Sequence, residues 1–380
     1  MRILYLHQYF KTPEQAGSHR SWYIAKSLVN AGYQVEIITS FQEKKAISKN
    51  IEGILVHYLP VPYDQSMSFW RRLWAFFLFF VKSYKKASQI KNVDLVYATS
   101  TPLSIGLLAF LLRIFKNKKY IFEVRDLWPL VPIEMGFIKN RFLILFLYKL
   151  EKVIYQNAQK IVALSPSMQA YIHALVPQKE VICVPNMSDF DFFLKESKPI
   201  IKEPKPFTII YFGSIGKANG VERFVEIAQK SPDIQFWIVG KGSELNSIQT
   251  LSKGFSNISF FEEQTKEQLR ETLQQTDAFF ISFADFKSLE TCSPNKFFDG
   301  LAAGKLCITN TKGWIKDLVE QEQCGFYVEN VQDFAKKIQN FLKNPSLLEI
   351  YQENARKTAE KYFDKNILCS KIVSLIKPLA

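Results

Sequence analysis

The sequence predicts an α/β chain made of two successive Rossmann-like halves that face each other across a cleft. Three observations lead there. Short β-branched and aromatic runs alternate with amphipathic helical patterns from the first residues onward. A cluster of Lys, Glu and Pro at Leu194 to Pro206 (LKESKPIIKEPKP) interrupts the alternation, and the alternation then starts afresh. The chain has 380 residues, of which 47% are hydrophobic, enough for two domains with cores of their own.

Taken in order, Arg2–Leu6 reads as a strand, His7 to Ser18 as a loop, and His19 to Asn30 as a helix with Ile24, Ala25, Leu28 and Val29 on one face. Ala31-Gly32 ends that helix and Gln34–Thr39 is the next strand, a βαβ unit that implies a parallel sheet. Further strands are expected at Leu95–Ala98, Tyr120–Val124, Lys160–Leu164 and Val181–Val184. After the linker come a strand at Thr208–Phe212, a helix at Gly220–Lys230, and strands at Ile234–Val239, Ile258–Phe261, Ala278–Ser282, Leu306–Thr309 and Phe326–Val328. The expected division is residues 1–193 for the first domain, 194–206 for the linker and 207–352 for the second domain. Residues 353–380 then form a helix packing back on the first domain. Ligands of open parallel sheets sit beyond the carboxyl ends of the strands, so both halves should turn their loops into the cleft.

The five cysteines are scattered, with no CxxC or Cys/His cluster, which argues against a disulfide framework or a zinc site and fits a reducing cytoplasm. The apolar run Ile3 to Leu6 is too short for a signal peptide. The net charge of +13 suggests an acidic partner. The segment Ser68–Ala87 (SFWRRLWAFFLFFVKSYKKA) has about half the apolar length needed to span a bilayer. It places Trp74 among Arg71, Arg72, Lys82, Lys85 and Lys86, the composition of a helix lying in an anionic membrane interface. Leu107–Tyr120 and Phe137–Lys152 are similar in composition. The alternative is an amphipathic core helix with a solvated basic edge. Basic residues interleaved with long apolar runs do not suit nucleic acid.

The most informative stretch is Ser293–Thr309, SPNKFFDGLAAGKLCIT. Ser293 is expected as the N-cap and Pro294 as the first helical residue, giving a helix N-terminus suited to a diphosphate. Asn295 and Lys296 follow in the first turn, where a lysine adds a point charge, and Asp299 lies on the same face, placed to accept from ribose hydroxyls. In the first half, Gly17 allows close backbone approach and Arg20 sits at a helix start. EVRDLWP packs Glu123, Arg125 and Asp126 after a strand. Asp126 is the first candidate for catalytic work at this strand end, with Glu123 and Arg125 as alternates. His7 is either part of this site or a satisfied core histidine.

SPNKFFDGLAAGK resembles the donor-binding helix of the family-4 retaining glycosyltransferases, and other pieces agree in order over nearly the whole chain. ILYLHQYF…GSHR resembles that family's opening, VALSP and VPNMSDFDFF the end of its first domain, YFGSIGKANGVERFVEIA and VGKGSE the start of its second. FEVRDLWPLVPIEMG resembles a signature of a bacterial surface-polysaccharide branch. The resemblance implies the GT-B architecture and transfer, with retention, from a nucleotide diphosphate sugar, expected to be a UDP-sugar, that serves as substrate and not cofactor. No Asp-x-Asp metal motif is read in the chain, so a metal-independent reaction is expected. The branch hints at an N-acetylated amino sugar as donor and a lipid-linked saccharide of O-antigen or capsule assembly as acceptor, at the cytoplasmic face of the membrane. The family's Glu-x7-Glu pair is altered to Thr291 and Asp299, with Glu290 one place away, and Ser214 and Asn219 stand where an Arg and a Lys usually hold the diphosphate. Lys217 and Lys296 are therefore the expected phosphate ligands. Rival readings are a GT-B sugar-nucleotide epimerase, which would release free nucleotide without an acceptor, and a non-catalytic sugar-nucleotide-binding partner of another transferase. A nicotinamide oxidoreductase is disfavoured, since HQYFKTPEQAG after the first strand lacks GxGxxG.

Overall fold

Strands buried on both faces read as near-continuous apolar runs, and this chain has many. The computed structural model describes residues 1–63, 67, 69–194 and 206–379, so the linker expected at 194–206 falls almost wholly outside the described residues, as does Ser68. The first half runs β1 (Arg2–Leu6), α1 (Arg20–Asn30), β2 (Gln34–Phe41), β3 (Ile47–Ile51), β4 (Ile54–Pro60), α2 (Phe69–Gln89), β5 (Leu95–Thr99), α3 (Ser104–Lys116), β6 (Lys119–Val124), α4 (Leu130–Glu134), α5 (Arg141–Asn157), β7 (Lys160–Ala163), α6 (Pro166–Leu175), β8 (Val181–Cys183) and α7 (Phe190–Leu194). Its sheet has the order β3-β4-β2-β1-β5-β6-β7-β8, parallel except for β3 against β4. The chain reverses direction across the sheet between β1 and β5, where Leu6 lies beside Ala98.

The second half runs β9 (Thr208–Phe212), α8 (Glu222–Gln229), β10 (Gln235–Val239), α9 (Leu245–Leu251), β11 (Ile258–Phe261), α10 (Lys266–Gln274), β12 (Ala278–Ile281), α11 (Asn295–Ala302), β13 (Leu306–Thr309), α12 (Trp314–Gln321), β14 (Gly325–Tyr327), α13 (Val331–Lys343), α14 (Pro345–Thr358), a π-helical turn at Ala359–Phe363 and α15 (Lys365–Ile376). The parallel sheet β11-β10-β9-β12-β13-β14 reverses between β9 and β12. Each sheet is covered on both faces by apolar clusters, the arrangement that puts ligand-binding loops at the carboxyl ends of the strands.

Two features depart from the sequence reading. The β3–β4 hairpin is new: β3 (ISKNI) exposes its polar middle and carries no apolar alternation to announce it. The helical end of the chain divides at Asp364 rather than at 353. Helix α14 stays with the second half, against α11 and β13, while α15 crosses back and inserts Leu368, Ile372 and Ile376 beside Ile24, Ala25 and Leu28 of α1. At the crossing the backbone of Ser188 bonds to both Phe363 and Lys365.

Helix α2 turns Ala75, Phe79, Ser83 and Ala87 inward and leaves Trp70 (76% exposed), Trp74, Phe77 and Val81 in the open. Helix α3 packs between α2 and α5, and α5 exposes Phe142 (85%), Leu145 and Phe146. The basic residues of α2 are not equivalent. Arg71 and Lys85 are exposed, but Lys82 donates to the Pro60 carbonyl at 2.7 Å, Arg72 is half-buried near Tyr9, and Lys86 is half-buried. The expectation of a uniform basic fringe is thus corrected to two outward-facing charges, because helix packing turns the other three toward the protein. Among the described residues no helix is long and apolar enough to cross a membrane.

Candidate active site

The loops at the carboxyl ends of β1, β5 and β6 meet those of β9 and β12. Direct hydrogen bonds join the two halves: Ser18 Oγ to Asn295 Oδ1 (3.2 Å), Ser165 Oγ to the Thr291 carbonyl (2.6 Å), Asn186 to Ser293, and the Ser288 amide to Glu134 (2.8 Å).

Helix α11 begins at Asn295, with Pro294 in extended conformation as its cap. Ser293 is not the N-cap expected from sequence. Its hydroxyl accepts from the Asn186 amide (3.3 Å) and its carbonyl from the Asn186 side chain (2.5 Å), so it pins the two halves together instead. The first turn of α11 still offers unpaired amides and the positive end of the helix dipole. Lys296 is 9% exposed, and its Nζ has no hydrogen-bond partner in the structure and rests 3.8 Å from the Tyr211 ring centroid. Burial pulls its pKa down to about 7. Gly213, at the end of β9, has φ +118°, a conformation that suits glycine, and a Cβ there would come 3.3 Å from Lys296 Cε.

Asp299 lies one turn on, and Lys266 at the start of α10 pairs with it at 3.2 Å. Burial lowers the Lys266 pKa, but the Asp299 carboxylate outweighs this and the net shift is upward. Lys266 had no signal in the sequence: only the adjacency of α10 and α11 brings it to Asp299. Ser214 is exposed after β9, and its carbonyl accepts from the Tyr211 hydroxyl (2.5 Å). Lys217, expected as a phosphate ligand, is exposed, and its ammonium lies over the Phe137 ring of the other half at 5.8 Å. Glu290 is half-buried on the turn Lys287–Thr291, its backbone against Gly313, and Thr291 uses its hydroxyl on the Ser288 carbonyl (2.7 Å).

In the first half, Gly17 takes φ +125° in an exposed loop just ahead of α1, a conformation that suits glycine. The sequence reading of Arg20 and Glu123 is corrected. Arg20 is buried and donates through Nε (3.1 Å) and Nη2 (2.9 Å) to Glu123, and further to the carbonyls of Val184 and Pro185. Glu123 is 0% exposed and also accepts from the hydroxyls of Tyr97 and Thr99. Burial would raise its pKa, but Arg20 outweighs this and holds it down to about 2. Neither side chain is open to a ligand: the pair is a floor that ties β6 and α1 to the end of β8. Arg125 and Asp126, the next outward residues, are half-buried at the cleft. Asp126 accepts from the Thr101 hydroxyl (2.7 Å), and Arg125 reaches His7 and Ser18, both at 3.2 Å. His7 is a partnered histidine within this network, its pKa pushed well down by burial and then by Arg125.

The expectation that the chain has no Asp-x-Asp pair is corrected: Asp189 and Asp191 form one. Asp189 caps α7 by accepting from the Phe192 amide (3.2 Å) and pairs with Lys365 (2.5 Å), so it braces the crossing of the chain.

Residues 193–358 match the family model for glycosyl transferases group 1, and residues 17–187 match a glycosyl transferase 4-like domain. No curated protein matches the chain. Among solved structures it is similar to sucrose-phosphate synthase from Thermosynechococcus elongatus, with 16% identity over 100% of this chain and 98% of that one and a TM-score of 0.79. It is similar to HepE of Anabaena in complex with UDP and glucose, with 14% identity over 99% of each chain and a TM-score of 0.70. It is similar also to WaaG, a glycosyltransferase involved in lipopolysaccharide biosynthesis, with 15% identity over 98% of this chain and 99% of that one and a TM-score of 0.67.

Proposed function

We propose, for a chain that is a glycosyltransferase with the GT-B fold, a retaining transfer of a sugar, of the N-acetylated amino class, from UDP to a lipid-linked saccharide at the cytoplasmic face of the membrane. The observation that carries the donor half of this reading is Lys296, a buried amine with no hydrogen-bond partner at the first turn of α11. A buried ammonium without a partner is costly, and a diphosphate at the helix N-terminus would supply the missing charge. Asp299 then takes the ribose hydroxyls through the carboxylate oxygen that Lys266 leaves free. The UDP in the HepE complex supports uridine as the nucleoside.

In the reaction the bond between the anomeric carbon and the diphosphate oxygen breaks, and its electron pair leaves with UDP. The acceptor oxygen bonds to the same face of that carbon and its proton passes to the departing diphosphate. Asp126, held by Thr101, positions the acceptor hydroxyl or the reacting sugar. Most of the stabilisation is electrostatic and is met by Lys296 and the α11 amides. No resident metal is included in this reading; Asp189 of the Asp-x-Asp pair is taken up by the Phe192 amide and Lys365.

The acceptor half of the reading is supported by the exposed aromatic rows of α2 and α5, which start at the cleft end of the first half and suit insertion at a lipid surface beside a lipid-linked substrate. The role of WaaG in lipopolysaccharide biosynthesis supports the same class of acceptor. A panel of UDP-sugars tested with and without a membrane extract checks the reading. UDP release should appear only with both a competent donor and the extract, and the sugar should enter the lipid fraction. Release of free UDP from donor alone would favour an epimerase.

A further inference from the structure

Six side chains form a hydrogen-bonded line that runs into the cleft and that the roles above leave unused. Arg125 Nη1 lies 3.2 Å from His7 Nε2, and a guanidinium only donates, so His7 Nε2 must carry a lone pair. The His7 proton is then on Nδ1, which donates to Ser21 Oγ at 2.8 Å, and the Tyr5 hydroxyl donates to the same oxygen at 3.1 Å. Arg125 Nη2 donates to Ser18 Oγ at 3.2 Å, and the Ser18 hydroxyl donates to Asn295 Oδ1, the first residue of α11. The guanidinium of the first half is therefore one hydroxyl away from the helix end that carries Lys296. Among the described residues no acid holds it in an ion pair: Glu123 beneath it is bonded to Arg20, although its charge is also felt by Arg125, and its neighbour Asp126 accepts from Thr101. Two of the five N–H donors of Arg125 serve His7 and Ser18, and a guanidinium has a fork geometry that suits phosphate oxygens.

We propose that Arg125 is the cation that receives the leaving diphosphate from the side of the first half, opposite Lys296, so that each half of the molecule supplies one positive charge. This deepens the donor reading above and rests on it. As the anomeric carbon–oxygen bond breaks, the electron pair goes to the diphosphate oxygen, and the growing charge falls between the two cations. His7 is a positioning residue: neutral and fixed in one tautomer by Ser21, it sets the angle of the guanidinium.

The test compares Arg125→Gln and Arg125→Lys with the wild-type full chain in donor turnover, and in calorimetric binding of UDP and of uridine. Arg125→Gln should lower kcat by about 100-fold or more, leave uridine affinity unchanged, and regain part of its rate when millimolar guanidinium chloride is added. Arg125→Lys should fall between the two. His7→Leu should lower kcat about tenfold, a loss His7→Gln should restore by keeping an acceptor in place. Arg125→Gln with full turnover, or with equal losses for UDP and uridine and no rescue by guanidinium, would overturn the inference while leaving the donor reading intact. A wild-type chain that binds no nucleoside diphosphate from a panel of UDP, GDP, CDP, TDP and ADP would overturn the donor reading, and this inference with it.

Discussion

Lys266 Nζ stands 3.2 Å from Asp299 Oδ1, so the carboxylate assigned to the ribose already has a cationic partner, and Tyr23, Phe192 and Phe193 close around that partner. The pair fixes the rotamer of Asp299 and leaves its second oxygen for hydroxyl donors. Asp299→Ala should weaken UDP and uridine binding alike, by roughly 1.5–3 kcal/mol for a charged hydrogen-bonding group. Calorimetry with unchanged affinity for both ligands would remove Asp299 from the nucleoside site.

Lys296 gives diphosphate binding a pH dependence of defined sign. With a pKa near 7 in the free protein, the amine is largely charged below pH 7 and largely neutral above it. A bound diphosphate raises that pKa, so binding above pH 7 takes up a proton. UDP affinity should therefore fall as pH rises from 7, by up to about tenfold per unit. Uridine affinity should stay flat over the same range, and Lys296→Met should abolish the UDP slope. A wild-type affinity ratio of UDP to uridine that does not change between pH 6.5 and 9 would refute the assignment.

Glu123 and Arg20 should behave as framework. Removing one member leaves the other charged and buried, which costs about 3–5 kcal/mol. Glu123→Gln is expected to lower the unfolding free energy, read from urea denaturation, by an amount in that range. The fraction that remains folded should turn over at a rate within an order of magnitude of the original. A stable Glu123→Gln protein with turnover lost would return Glu123 to the list of catalytic groups.

The membrane reading is tested by the side chains that face outward. Arg71→Gln with Lys85→Gln should weaken sedimentation with anionic vesicles by up to about 2 kcal/mol at low salt, from roughly 1 kcal/mol per basic residue at the surface. Trp70→Glu with Trp74→Glu should abolish it. Lys82→Gln should instead lower stability, since its ammonium holds the Pro60 carbonyl. Wild-type protein left in the supernatant with anionic vesicles would end the membrane reading.

Most strands of both sheets were legible because parallel strands are apolar throughout, and residues such as Thr208–Phe212 and Leu306–Thr309 stand out between polar turns; β4 (ILVHYLP), although apolar and parallel to β2, was not read. The SPNK helix was legible from its composition, but its first residue was not. Nothing local in Ser293 says that its hydroxyl is claimed by the Asn186 amide, 107 residues away in the chain. Arg20 and Glu123 each look like cleft residues alone. Their contact spans 103 residues, and only the parallel packing that brings α1 over the end of β6 reveals them as one buried pair. The β3–β4 hairpin escaped because ISKNI puts three polar residues in a row on an exposed edge. In each case the missing information lay in what the rest of the chain brings near.

Helix α15 completes the hydrophobic layer over α1, although it comes last in the chain and α1 comes first. On the ribosome, the first half therefore emerges without the α15 side chains that pack beside Ile24, Ala25 and Leu28, and it lacks them until residues 365–376 have been made. At ordinary rates of about 5–20 residues per second that wait lasts tens of seconds. During that interval the apolar layer over α1 is incomplete. A fragment ending at 193 would lack the α15 part of that layer for its lifetime.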